Sequence, residues 1–150
     1  DAGILVFLST ATNLVTNPPV GTGYNLFLRD RVHGATTRLD APWSIYLPGG
    51  GLNLSADGST IAFVTAVAFD PQHDANGTGD LYTYDIAAQT IHLTSRGLNG
   101  AAATAFLTGE GDPGLTASGD GAVYVSSANN IVSNDTNGVN DVFLARTGCP

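Results

Sequence analysis

FLSTATNLV (Phe7 to Val15) returns without a gap as YVSSANNIV (Tyr124 to Val132), and FVTA (Phe63 to Ala66) is a looser third copy between them. A second block follows each copy: NLFLRD (Asn25 to Asp30), DLYTYD (Asp80 to Asp85) and DVFLAR (Asp141 to Arg146). A third block precedes two of the copies, SADG (Ser55 to Gly58) and SGDG (Ser118 to Gly121), and the opening Asp1-Ala2-Gly3 reads as the remains of the same turn. Self-similarity at a fixed period marks a repeat architecture and takes precedence over any local pattern.

Two landmarks give the period. Phe7, Phe63 and Tyr124 are 56 and 61 residues apart, and Asn25, Asp80 and Asp141 are 55 and 61 apart. Each unit is rich in β-branched and aromatic residues punctuated by Gly and Asp, the composition of short strands joined by turns. The complete middle unit reads as four antiparallel strands, Leu52 to Ser55, Thr60 to Thr65, Asp80 to Asp85 and Thr90 to Ser95. SADG and SGDG are hairpin turns in which Gly supplies positive φ. No segment holds a helical period; Gly100 to Leu107, with three consecutive Ala, is short, Gly-flanked and read as a loop. Four-stranded sheets repeated along a chain predict an all-β protein of β-propeller blades. Residues 1–150 then form a single propeller segment with units at about 1–40, 51–95 and 114–147 and long loops at 41–50 and 96–113.

The order SADG, a strand such as IAFVT, the loop DxNGxxD, and a strand such as VFLxR resembles the TolB-type propeller repeats of bacterial exported proteins. The Phe7 to Val15 segment followed by NLFLRD and TTRLD is similar to tandem repeats of this group. The resemblance implies a propeller, a location outside the cytoplasm (extracellular, cell surface or periplasmic) and a binding role, without naming a ligand.

The end units are unequal. The first lacks its first strand and the last its fourth, and three blades are fewer than the about four to eight of a closed ring. The ring is therefore expected to be incomplete within this chain. Unclosed sheet edges promote association, so the expected partner is another protein or a further copy that completes the propeller. The chain opens at Asp1 and holds no Met, which suggests a processed chain or part of a longer one.

Composition narrows the function. Five Arg, no Lys and thirteen acids, of which only Glu110 is Glu, give a net charge of −8. Nucleic acid and anionic membrane both require basic patches, so neither is expected as a partner. No apolar run of membrane-spanning length occurs. Cys149 is the lone cysteine, so no internal disulfide or CxxC site is available; it either tethers a partner or is incidental.

Two loops carry candidate cation ligands: Asp74, Asn76 and Asp80, and Asp135, Asn137 and Asp141, each at relative positions 1, 3 and 7. Calcium is the cofactor such loops would take, because it needs six to eight oxygens from carboxylates, amides, carbonyls and water. The competing reading is an Asx-turn loop whose acids accept backbone N–H groups. The first unit's counterpart, Pro19 to Asn25, has lost the acids, and neither loop has an EF-hand's distal Glu. His33, His73 and His92 show no zinc spacing, although His73 adjoins Asp74. No G-x-S-x-G elbow occurs, and Glu110 and Asp112 sit in a Gly-rich loop that fixes no carboxylate spacing. Trp43 and Tyr46 in an apolar loop are candidate interaction anchors, unless the loop folds back and buries them. The expected function is a non-catalytic structural or protein-interaction subunit of a larger propeller or assembly. Its alternatives are a Ca-dependent carbohydrate- or peptide-binding module, or a fragment of a propeller enzyme with its catalytic residues elsewhere.

Overall fold

A computed structural model describes residues 3–16, 24–39, 51–105 and 112–148, whose ten strands form three antiparallel sheets of three, four and three strands. The chain divides into two compact units, Asp1–Tyr46 and Leu47–Pro150. Among the described residues no helix is long and apolar enough to cross a membrane.

The first unit contains β1 (Ile4–Ser9), β2 (Asn25–Asp30) and β3 (Ala35–Arg38) in the order β1-β2-β3. Phe7 lies opposite Phe27, with ring centroids 5.5 Å apart and planes at 20°. The β2–β3 turn is held by Asp30, whose Oδ1 accepts the N–H groups of Val32 and His33 at 2.9 and 3.0 Å. Those bonds, with the His33 ring at 2.6 Å, hold the Asp30 carboxyl below its usual range.

The second unit contains β4 (Leu52–Leu54), β5 (Thr60–Thr65), β6 (Asp80–Asp85) and β7 (Thr90–Leu93) in chain order, then β8 (Gly114–Leu115), β9 (Gly121–Ser126) and β10 (Asp141–Arg146) in the order β10-β9-β8. Alternate residues of a strand face opposite sides. Ala62, Val64 and Leu81 of the four-stranded sheet therefore meet Ala122, Tyr124 and Phe143 of the last sheet in one buried core. Asn53 Nδ2 donates to the Pro113 carbonyl at 3.0 Å, and Asp57 N–H to the Ala117 carbonyl at 3.0 Å, so the two sheets are also joined through polar groups. The complete four-stranded middle sheet, with a first sheet short of its first strand and a last short of its fourth, is the blade arrangement expected from the repeats. The ring is incomplete in the described residues, since three sheets are fewer than the about four to eight of a closed propeller.

The repeat is legible atom by atom. Each sheet pairs one aromatic residue across its two longest strands: Phe7 with Phe27, Phe63 with Tyr82, Tyr124 with Phe143. The last two pairs have centroids 6.2 and 5.7 Å apart. Such pairs add ~0.5–1.5 kcal/mol beyond area burial. The hydroxyl that ends β1, β5 and β9 turns the chain each time: Ser9, Thr65 and Ser126 accept the N–H two residues on, from Ala11, Val67 and Ala128, at 3.0, 3.1 and 3.1 Å. The third landmark needs a shift of two residues. SADG and SGDG match by letters at a spacing of 63. The hydrogen bonds Gly58 N–H to Ser55 O and Gly119 N–H to Thr116 O place the equivalent turns 61 apart, in step with the strands. The positive-φ glycines are accordingly Gly58 and Gly119, at 76° and 70°.

Part of the second long loop is ordered by a latch. Arg96 and Ala102 form an isolated bridge. Asn130 holds the segment from the neighbouring sheet: its carbonyl accepts Leu98 N–H at 2.8 Å, its Oδ1 accepts Thr104 N–H at 3.0 Å, and its Nδ2 donates to Ala102 O at 3.1 Å.

Candidate functional site

The loop from Asp74 to Asp80 enters β6 through a turn in which Gly77 adopts φ +70°. Asn76 Oδ1 accepts the Thr78 N–H at 2.8 Å, which fixes the orientation of its amide. Its Nδ2 then points inward and donates to Asp80 Oδ2 at 2.7 Å and to the Ala103 carbonyl at 2.8 Å. Asp80 is fully buried, and its Oδ1 accepts the Ser95 hydroxyl at 2.7 Å while Ser95 Oγ accepts the Leu81 N–H. Asp74 is also buried and accepts the Tyr82 hydroxyl at 2.5 Å. Burial pushes the Asp80 carboxyl up to about 6, against the lowering effect of Ser95 and Asn76 and with a further push from Asp74. Burial and the Asp74 carboxylate also raise the Tyr82 phenol, and burial pushes Tyr124 up to about 12 with a contribution from the charge of Asp80.

The loop from Asp135 to Asp141 repeats this design at the surface. Gly138 has φ +67°, Asn137 Oδ1 accepts Val139 N–H at 3.0 Å, and Asn137 Nδ2 donates to Asp141 Oδ2 at 2.9 Å. In both copies the Asn presents a donor, not an oxygen, to the acid at position 7. The motif builds an Asx turn that ties the loop to the strand start. A cation held there would need that amide reversed, at the expense of the turn's own N–H bond. Among the described residues no group of three or more His, Cys, Asp or Glu is placed to hold a metal ion. Of the first unit's counterpart, only Tyr24 and Asn25 are described.

The histidines take separate structural roles. His33 pairs with Asp30, and His92 Nε2 lies 3.0 Å from the Thr90 hydroxyl. His73 turns to Asp70 at 2.9 Å, and Asp70 also receives Arg96 Nη2 at 2.9 Å. That cluster, which the sequence spacing did not flag, anchors the start of the latched loop. Trp43, Tyr46, Glu110 and Cys149 lie outside the described residues.

The structure adds an interaction candidate. In the last sheet Val123 is paired with Leu144 and Val125 with Val142, so these four share the face turned away from the core. Val142 and Leu144 are each 72% exposed and Val123 39%. The 61-residue repeat maps Ala62, Val64 and Leu81, the interface residues of the middle sheet, onto Val123, Val125 and Val142. The last sheet thus exposes the face by which its neighbour is packed. The signal was present in the sequence, but only the pairing register shows which alternate residues belong to it.

Neither a protein-family profile nor a curated relative matches the chain. Among solved structures, a crystal structure of TolB from Acinetobacter baumannii aligns with 95% of this chain at 12% identity and a TM-score of 0.49. The tricorn protease aligns with 69% of it at 14% identity and a TM-score of 0.42. The chain spans 30% of the TolB chain and 9% of the tricorn chain that it matches.

Proposed function

We propose that this chain is a non-catalytic segment of an exported β-propeller and serves as a structural or protein-interaction subunit of a larger propeller or assembly. The observation that carries the reading is the apolar outer face of the last sheet, with Val142 and Leu144 each 72% exposed on a protein of net charge −8. Contiguous exposed apolar surface of this kind marks an interaction site. The polar residues support the same reading. Ser9, Thr65 and Ser126 recur in one turn-forming role, and Asn76 and Asn137 in another, which is the use of side chains as scaffold. The exported location rests on the sequence resemblance.

Hydroxyl-radical footprinting of the protein isolated from its natural source tests the reading. Val142 and Leu144 are expected to label far below the level that their exposure in the single chain sets, and hydrolase substrate panels are expected to give no turnover. Full labelling of both residues, or turnover abolished by an active-site-directed inhibitor, would overturn it.

A further inference from the structure

We propose that the Asp135 to Asp141 loop and the start of β10 form a site that binds an extended polypeptide segment carrying a serine followed, seven and eight residues on, by two alanines. This rests on the reading of the chain as an interaction subunit and names the chemistry that one of its sites accepts.

The middle sheet shows the equivalent site filled. Ser95 Oγ donates to Asp80 Oδ1 at 2.7 Å and accepts the Leu81 N–H at 3.0 Å. Eight residues on, the Ala103 carbonyl accepts Asn76 Nδ2 at 2.8 Å, and the Ala103 N–H folds the segment onto itself by donating to the Ser95 carbonyl at 2.8 Å. Ala102 and Ala103 are both buried, so small side chains fill the packed positions. The residues just before Ser95 pair with β6 as β7.

The last sheet repeats the receiving groups 61 residues on, within the same compact unit. Asn137, Asp141 and Val142 stand for Asn76, Asp80 and Leu81. The bond from the Asn amide to the Asp carboxylate recurs, at 2.7 Å in the middle sheet and 2.9 Å in the last. Val142 pairs with Val125 as Leu81 pairs with Val64, so its N–H has the same orientation. What differs is the occupant. Asp141 Oδ1 and the second hydrogen of Asn137 Nδ2 meet no partner among the described residues, β10 lies at the sheet edge, and Asp141 is partly exposed where Asp80 is buried. A cavity of about 360 Å³ opens there, lined by Asp135, Asn137, Asp141 and Phe143 among others. Main-chain pairing along the open edge of β10 would add affinity, and the side-chain groups of the loop would select the segment. Asp135 and Asp141 make the site acidic, so a hydroxyl donor suits it and a carboxylate at the same place does not.

Titration of the isotope-labelled 150-residue chain with a peptide copying residues 90–104, TIHLTSRGLNGAAAT, followed by nuclear magnetic resonance, is the experiment. Saturable shifts are expected at the Val142 amide and the Asn137 side-chain amide, with Leu81 and Asn76 unmoved because their site is already filled. Ser95→Ala in the peptide is expected to weaken binding about tenfold, and Ser95→Asp to abolish it. Asp141→Ala in the chain is expected to match the Ser95→Ala loss; should that variant fold poorly, the altered peptide reads the same bond on the unaltered chain. No shift at millimolar peptide overturns the proposal, as does equal affinity for the Ser95→Ala peptide or for a scrambled sequence. If the peptide fails while Val142 and Leu144 stay protected in the native material, the interaction reading stands and this site falls.

Discussion

Asp80 has no exposed surface and both carboxylate oxygens engaged, yet burial still holds its carboxyl at about 6, above the ordinary 3.8. The folded chain therefore binds this proton more tightly than the unfolded chain. The resulting stabilisation is complete below about 3.8 and is lost as pH rises through about 6. Asp80→Asn removes the titration. The first sheet carries Asn25 at the equivalent strand start, and at residue 80 an amide keeps one acceptor where Asp80 meets two donors, so the lost hydrogen bond lowers stability at both pH values and leaves their difference as the readout. The variant is expected to lose the part of the stability difference between pH 5 and pH 7 that Asp80 supplies, ~1–2 kcal/mol on this shift, read as a smaller change in melting temperature between the two pH values; an unaltered change would refute the assignment. The glycines give a second contrast. Gly138 and Gly119 have nearly the same φ, 67° and 70°, but a Cβ on Gly138 meets nothing, whereas one on Gly119 lies 2.4 Å from Thr60 Oγ1. Gly138→Ala should cost only the left-handed strain, ~1–2 kcal/mol, and Gly119→Ala clearly more, as chemical denaturation would show. The residue types of these positions were legible in the sequence. Their partners were not: Tyr82 and Ser95 reach Asp74 and Asp80 from 8 and 15 residues away, and only the sheet pairing brings them together.

The strands were legible because each is a short run of β-branched and aromatic residues between Gly- or Asp-bearing turns, and β5 and β6 begin and end where that pattern does. The turn offset was not, because the similar letters SADG and SGDG occupy different rungs. The hydroxyl that the chain reuses sits at Ser55 and Thr116, accepting the N–H groups of Thr60 and Gly121 at 2.9 and 3.0 Å, while the supporting carboxylate moves from Asp57 to Asp120. Backbone geometry is retained and the side chain that serves it is exchanged. The latched loop was also hidden, since Asn130 lies in a repeat-equivalent run that gives no hint of a partner near Thr104. Asn130→Ala removes the acceptor for Thr104 N–H and the donor to Ala102 O. An overall loss of ~1–3 kcal/mol is expected. The local effect is sharper: faster amide exchange at Thr104 and quicker tryptic cleavage after Arg96, with β5 and β6 unaffected. Exchange that rises equally in β5 would show that the loop is part of the global unit and not a latch on it.

In a chain of stacked sheets, stability is a sum of each sheet's own terms and its contacts with neighbours. The four-stranded sheet is rich in such contacts: Ile61 to Thr65 and Asp80 to Tyr84 are buried without interruption, so both of its faces are covered. In β10 only Phe143 is buried, and Val142 and Leu144 face outward. β6 is hydrogen-bonded on both sides, to six residues of β5 and four of β7, whereas β10 lies at the sheet edge beside β9, so edge position and the exposed face act in the same direction. Covering an aliphatic side chain of this size is worth ~1.5–3 kcal/mol, and that is the order that the exposed face adds to the edge position in making β10 open more easily than β6. Native-state hydrogen exchange is expected to rank the amides of β5 and β6 slowest and those of β10 faster in the single chain. When the outer face is occupied, β10 should gain protection while β6, already covered on both sides, changes little. Equal protection of β6 and β10 in a monomeric chain would mean that the exposed face costs nothing, and the physical case for a partner there would fall with it.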